Sequence, residues 1–217
     1  MAEKVSRKQL VQLLVLIVIG WGVTQVPQRT APIGRDVGAN GTARAALRDT
    51  TSPSSEVRDP TLTLVVFTDY QCPACKLSNP AMDAAIAKDG HVRVVYRDWP
   101  IFGDRSERAA RVAIAADRQG IYPEVHRRLM NERRVLDDEV LRAAVEGAGG
   151  SWRRLLADLR EYDPTISQQL NRNRGDVFAL GIAGTPAYLV GPLLIVGGTD
   201  EAGFAKAFSL GREAGSS

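Results

Sequence analysis

The sequence predicts an α/β domain: a β-α-β unit, a block of helices and a β-β-α unit, preceded by an N-terminal transmembrane or signal helix. Three observations carry this reading. The runs "TLTLVVF" (61–67) and "HVRVVYRDW" (91–99) are apolar and rich in β-branched residues, with one helical stretch between them. From about 105 to 180, apolar residues recur at helical spacing. "PAYLV" (186–190) and "LLIVGG" (193–198) then flank Gly191-Pro192, a hairpin signal, ahead of a last helical pattern.

Composition sets the bounds. The chain has 217 residues and is 44% hydrophobic, enough for a core that does not depend on a disulfide framework. Beyond the N-terminal segment roughly 160 residues remain, which suits one domain. The formal net charge is +3, of which Lys4, Arg7 and Lys8 against Glu3 supply +2. With the excess at the terminus, no nucleic-acid partner is expected.

The N-terminus is basic and leads into an apolar run at 10–26 that is 17 residues long and interrupted by Gln12, Thr24 and Gln25. That length is near the lower limit for crossing a bilayer core of about 30 Å. It is long for a secretory apolar region of roughly 7–15 residues. Residues 1–26 are therefore read as an uncleaved signal-anchor, with a cleaved signal peptide as the alternative. Positive residues stay on the cytoplasmic side, so the rest of the chain is exported. The expected location is the bacterial inner membrane as a single-pass protein with its domain in the periplasm, or the soluble periplasm after cleavage.

Residues 27–60 are rich in Gly, Pro, Ser, Thr and Ala. They read as a flexible linker, with a short helix around 42–48. The folded domain is expected over 61–210. Strand 61–67 is followed by a helix over 73–88 and the strand at 91–99. Five helical patterns follow, marked by Ala110/Ala113/Ile114/Ala116, Val125/Leu129/Met130, Val140/Leu141/Ala144/Val145, Trp152/Leu155/Leu156/Leu159 and Ile166/Leu170/Val177/Leu180. Gly175 weakens the last of these. After the hairpin, a helix capped by Asp200 runs to about Leu210, leaving 211–217 as a tail.

The chemistry is concentrated in "FTDYQCPACKLSNP" (67–80), which holds Cys72 and Cys75, the chain's only cysteines. A structural zinc site needs four ligands. Only His91 and His126 would be available besides the two thiols, and both lie apart from them in sequence. A disulfide across two residues closes too small a loop to be much of a staple. Redox chemistry fits better. Cys72 sits where a strand ends and a helix begins, and Pro73 suits the first helical turn. Unpaired N–H groups and the dipole at that position favour the thiolate, which is the nucleophile in thiol–disulfide exchange. Cys75, one turn on, points inward and resolves the mixed disulfide.

The stretch "VVFTDYQCPACKLSNP" resembles the active site of the DsbA-like thioredoxin-fold thiol–disulfide oxidoreductases. The match rests on strand, Cys72-Pro73-Ala74-Cys75 and helix; on Pro80 within that helix; and on "GIAGTPAYLV" (181–190), similar to the family's loop before a cis-proline. The resemblance covers about 61–210. It implies a thioredoxin fold with an inserted helical subdomain, since 110 residues separate Cys75 from Pro186. It also implies that Thr185 and Pro186 bind substrate, the Thr185 backbone pairing with an extended segment. No cofactor is expected beyond the redox-active Cys72–Cys75 disulfide.

Two positions depart from the family's pattern. The buried acid that many thioredoxin-fold enzymes carry six residues before the first Cys is Val66 here. Ala74 stands where DsbA has a His that favours the thiolate. The implied potential lies below DsbA's roughly −120 mV and above thioredoxin's roughly −270 mV. Nearby, Asp69 is expected to cap the helix or tune Cys72.

The reading is a membrane-tethered disulfide donor acting on exported protein thiols, with an unidentified membrane redox partner. The alternatives are a periplasmic disulfide reductase, or a non-enzymatic chaperone or Cu(I)-binding module using the same two thiols.

Overall fold

In the computed structural model, which describes Lys8 and residues 33–215, the elements from the N-terminal side are β1 (Arg35–Asp36), α1 (Gly41–Leu47), β2 (Leu62–Thr68), α2 (Pro73–Asp89) and β3 (Val92–Asp98). The helical block follows as α3 (Asp104–Ala116), a 3₁₀ turn at Asp117–Gln119, α4 (Tyr122–Asn131), α5 (Asp138–Gly147), α6 (Trp152–Glu161) and α7 (Asp163–Leu180). The chain closes with β4 (Ala187–Val190), β5 (Leu193–Val196) and α8 (Glu201–Gly215).

These form one sheet in the order β1-β5-β4-β2-β3. β2 and β3 are parallel, with Leu62 opposite Val92 and Thr68 opposite Asp98. The other pairings are antiparallel, and Val66 lies opposite Tyr188. The two-residue alternation of strand side chains splits the core into two faces. Val65, Phe67, Val95, Ala187 and Leu189 join Ala43 and Ala46 of α1 and Val177 and Leu180 of α7. The opposite face carries Tyr188, edge-on to Phe204 of α8 at 4.9 Å. There α8 approaches β4 closely: a Cβ at Gly211 would sit 2.7 Å from the Val190 carbonyl oxygen, so only glycine fits.

All the strands and helices expected over 61–210 are present, with α8 running on to Gly215. The expected tail is thus helix as far as Gly215. Among the described residues no helix is long and apolar enough to cross a membrane. The anchor or signal segment expected at 1–26 lies outside the described residues apart from Lys8.

The flexible linker expected over 27–60 is corrected from residue 34 onward. β1 pairs with β5 at one sheet edge. Ala43 and Ala46 of α1, with Val37, are buried in the core. Along the opposite edge, Ser55 N–H donates to Val94 O at 2.9 Å and Tyr96 N–H donates to Pro53 O at 2.9 Å. Low apolar content forbids a segment its own core, but this one uses the domain's. It also satisfies backbone groups that edge strands leave open.

Candidate active site

Cys72 is the N-cap of α2, with extended backbone (φ −71°, ψ 117°) and Pro73 in the first turn. Its Sγ accepts a hydrogen bond from the Cys75 N–H at 3.3 Å. That is one of the unpaired donors at a helix start, and it stabilises negative charge on the sulfur. Pro73 and Ala74 are exposed, while both sulfur-bearing residues are buried at 2% exposure. Neither cysteine is in a disulfide in this structure.

The chain returns to this point 113 residues after Cys72. The Cys72 thiol donates to the Thr185 carbonyl oxygen at 3.3 Å. The Thr185-Pro186 peptide is cis. The Pro186 carbonyl accepts from Gly197 N–H at 2.8 Å, which ties the loop to the end of β5. The structure therefore brings together Cys72, Cys75, Thr185 and Pro186 around one sulfur pair.

Cys75 sits deeper. Burial pushes its thiol up to about 12, against the lowering effects of the Thr68 hydroxyl and the Asp69 backbone N–H. Contact with Cys72 raises it further, while the Thr185 hydroxyl lowers it. The Thr185 Oγ1 is buried and held by no other partner, so it is available to the Cys75 sulfur. Val66, in the position of the missing acid, is buried against its strand neighbours. Cys75 is thus faced by the hydroxyls of Thr68 and Thr185 and the Asp69 backbone, donors that can stabilise a thiolate.

Asp69 does not cap α2, since Cys72 itself is the N-cap. Its Oδ1 accepts from Gln71 N–H and from the Ser106 hydroxyl, each at 2.7 Å. Its Oδ2 accepts from Ile101 N–H at 2.6 Å and Phe102 N–H at 3.2 Å. Asp69 therefore latches the loop between β3 and α3 beside the active-site turn. This loop exposes Phe102 (49%), and Val196 (53%) stands next to the strand end that holds Pro186.

Sequence reasoning missed several contributors. Thr68, the last residue of β2, turns its hydroxyl toward the Cys75 sulfur. Ser78 and Tyr188 lock α2 to β4, the Tyr188 hydroxyl donating to Ser78 Oγ at 3.0 Å. The Lys76 ammonium donates to the Glu132 carbonyl oxygen and so joins α2 to the helical block. Burial lowers the Lys76 pKa. Only the position of Thr68 just before the Cys-x-x-Cys turn offered a sequence signal. His91 lies on the surface and His126 is buried, away from the thiols.

Residues 63–209 match the family described as the DSBA-like thioredoxin domain. Among solved structures, a thioredoxin-like oxidoreductase from Silicibacter pomeroyi is 29% identical, over 78% of this chain and 98% of that one, with a TM-score of 0.73. The thiol-disulfide exchange protein α-DsbA2 from Wolbachia pipientis is 26% identical, over 80% and 95%, with a TM-score of 0.75. The catalytic domain of Proteus mirabilis ScsC is 26% identical, over 82% and 99%, with a TM-score of 0.71. A curated relative, Na(+)/H(+) antiporter NhaA 1 from Mycolicibacterium vanbaalenii, is 27% identical over 202 residues, 90% of this chain. This chain spans 32% of that relative's length.

Proposed function

The chain belongs to the DSBA-like thioredoxin domain family, and from that premise we propose that it is a thiol–disulfide oxidoreductase that donates a disulfide to exported proteins. One observation carries the reading: Cys72 Sγ lies at the α2 N-terminus between the Cys75 N–H and the Thr185 carbonyl, both at 3.3 Å. A substrate thiolate attacks Cys72 Sγ of the oxidised pair, the Cys72–Cys75 bond breaks, and Cys75 leaves as a thiolate and takes up a proton. A second substrate thiol, deprotonated, attacks the substrate sulfur of the mixed disulfide and expels Cys72 as a thiolate. Two electrons enter the domain and the substrate gains one disulfide. Thr68 and Thr185 stabilise the leaving Cys75 sulfur. Thr185 and Pro186 position an extended substrate segment, with Phe102 and Val196 offering it apolar contact.

Donation is favoured over reduction because no further cysteine exists in the chain to relay electrons. No cofactor is proposed beyond the redox pair. Tethering by residues 1–26 and a membrane redox partner complete the proposal.

Two measurements test this. In the Cys75→Ser chain, mixed disulfides through Cys72 are expected to accumulate with thiol-bearing extracytoplasmic proteins, since nothing resolves them. Recovery of no such adduct would exclude the exchange mechanism. In glutathione buffers the wild-type pair is expected to equilibrate above about −180 mV, whereas a value below about −250 mV would make the protein a reductase.

A further inference from the structure

Behind the active-site turn lies a buried chain of polar groups that the exchange mechanism does not use. The Tyr122 hydroxyl is 3.1 Å and 3.0 Å from the two carboxyl oxygens of Asp98. The Tyr70 hydroxyl is 3.2 Å from the Tyr122 hydroxyl and 3.0 Å from His126 Nδ1. His126 Nε2 is 3.4 Å from Asn79 Oδ1, and Asn79 Nδ2 donates to Asp83 Oδ2 at 2.8 Å. Asp98, Tyr70, Tyr122 and His126 are all at most 3% exposed. The chain joins the end of β3, the turn before Cys72, α4 of the helical block and α2.

The protons can be counted from the far end. Asn79 gives its amide hydrogen to Asp83, so its oxygen faces His126 and needs a proton on Nε2. A neutral His126 then accepts at Nδ1, which takes the Tyr70 proton. The Tyr70 oxygen takes the Tyr122 proton, and the Tyr122 oxygen requires one from Asp98. Four links need four protons, and two tyrosines and a neutral histidine supply three. The fourth belongs to Asp98, or to His126 as an imidazolium if all the links reverse.

We propose that the folded domain keeps Asp98 as a neutral carboxylic acid at the head of this chain, and that its proton holds Tyr70, and so the turn carrying Cys72, in place. Losing it leaves two facing oxygens or an unpaired His126 Nδ1 with no donor, in a place water does not reach. Among the described residues no cation pairs with Asp98. Around it stand Asp69 from the turn, Tyr70, Tyr96 on β3, Tyr122 and His126 on α4, Asn79 and Asp83 on α2, and Asn173 of α7, which donates to the Asp98 carbonyl at 2.8 Å. Arg97 is engaged by Asp49, Asp176 and Asn173. Burial, with the charge of Asp69, pushes Asp98 up to about 7, although the Tyr122 and Tyr70 hydroxyls could turn to donate to the ionised carboxylate and so act to lower it. Burial takes His126 down to about 3, which places the shared proton on Asp98. Asp98 is a positioning residue. Its link to thiol reactivity rests on Cys72 being the nucleophile, while the proton count does not.

The sign of the pH effect follows. Asp98 keeps a proton in the fold that the unfolded chain releases above about 4. Its contribution to stability is therefore full below that pH and falls as pH rises to about 7. His126 stays neutral in the fold while the unfolded chain is protonated below about 6.5, so its contribution rises with pH from about 3 to 6.5.

The test uses the full chain and its Asp98→Asn variant, in which the amide still donates to Tyr122 but cannot titrate. The ratio of unfolding constants, variant over wild type, is expected to fall about tenfold per pH unit between about 4 and 7. At pH 6 the wild type is expected to show an infrared carbonyl band of a protonated carboxylic acid that the variant lacks. Alkylation of Cys72, corrected for its thiolate fraction, is expected to change roughly threefold to tenfold as Asp98 ionises in the wild type and to stay flat in the variant. A pH-independent stability ratio, or identical infrared spectra, overturns the buried proton. Matching alkylation profiles overturn the link to the turn. If the variant does not fold, loss of a wild-type carboxylic-acid band on raising the pH from 6 to 9 decides alone. A band without any redox role for Cys72 would sink the proposed function and leave the proton in place.

Discussion

Replacing Cys72 by Ser is expected to abolish dithiol oxidation and disulfide reduction, a loss of at least about a thousandfold, with the fold intact. The two effects separate because the residue has two jobs. As nucleophile the sulfur has no substitute, since a serine hydroxyl at neutral pH is neither a thiolate nor able to form the Cys72–Cys75 bond. As N-cap, serine is among the preferred residues. Its Oγ can accept from the Cys75 N–H and donate to the Thr185 carbonyl, the contacts Sγ makes at 3.3 Å. Unfolding is therefore expected to shift by no more than about 1 kcal/mol. Dithiol oxidation, disulfide reduction and a denaturant melt on the same preparation read both. Retained turnover in a folded variant would end the exchange mechanism through Cys72.

Arg97→Met is expected to do the reverse: it should cost about 3–5 kcal/mol of stability and leave thiol chemistry in the surviving folded fraction. The guanidinium is 2% exposed and lies 3.0 Å from Asp49 and 3.5 Å from Asp176. It also donates to Asn173 Oδ1 at 3.0 Å. It thus joins the segment after α1 to β3 and α7. Methionine fills the volume but strands two carboxylates, with Arg172 only 3.7 Å from Asp49 as partial relief. Burial alone would raise Asp49, yet hydrogen bonds from Ser52 and Thr51 and the charge of Arg97 hold it at about 2. A depressed carboxylate stabilises the fold above its unfolded pKa near 4, and this is lost as pH falls toward 2. The gap between wild type and variant is therefore expected to narrow across that range. Denaturant melts at pH 7 and pH 3 check this. A gap of under 1 kcal/mol at pH 7 would show that the cluster contributes little.

The order of elements was legible in the chain because strands, helices, caps and hairpins are written in local periodicity and turn chemistry. The "LVVF" run, the Pro73 helix start and Gly191-Pro192 are such signals, and each strand or helix they imply is present. The two halves of the site were legible for a related reason. A Cys-x-x-Cys at a strand-to-helix junction and a Thr-Pro before a hairpin each have a short signature, and the fold only has to bring them together.

What could not be read shares one property: it depends on partners far apart in sequence. Residues 34–60 look like a tether by composition because apolar content measures a segment's own core and says nothing of a core it can borrow. Asp69 looks like a helix cap because its neighbours are local, while its actual partners at Ile101, Phe102 and Ser106 lie more than 30 residues away. Asp98, Tyr122 and His126 carry no spacing signal, for they meet only when α4 packs behind the β2–β3 pair. The sequence by itself determined the element types and the identity of the reacting sulfurs, since those follow from short-range sterics and thiol chemistry. The tertiary structure alone decided which groups surround Cys75, what latches the active-site turn and where a buried proton must sit, because burial and hydrogen-bond partnership are properties of the packed chain.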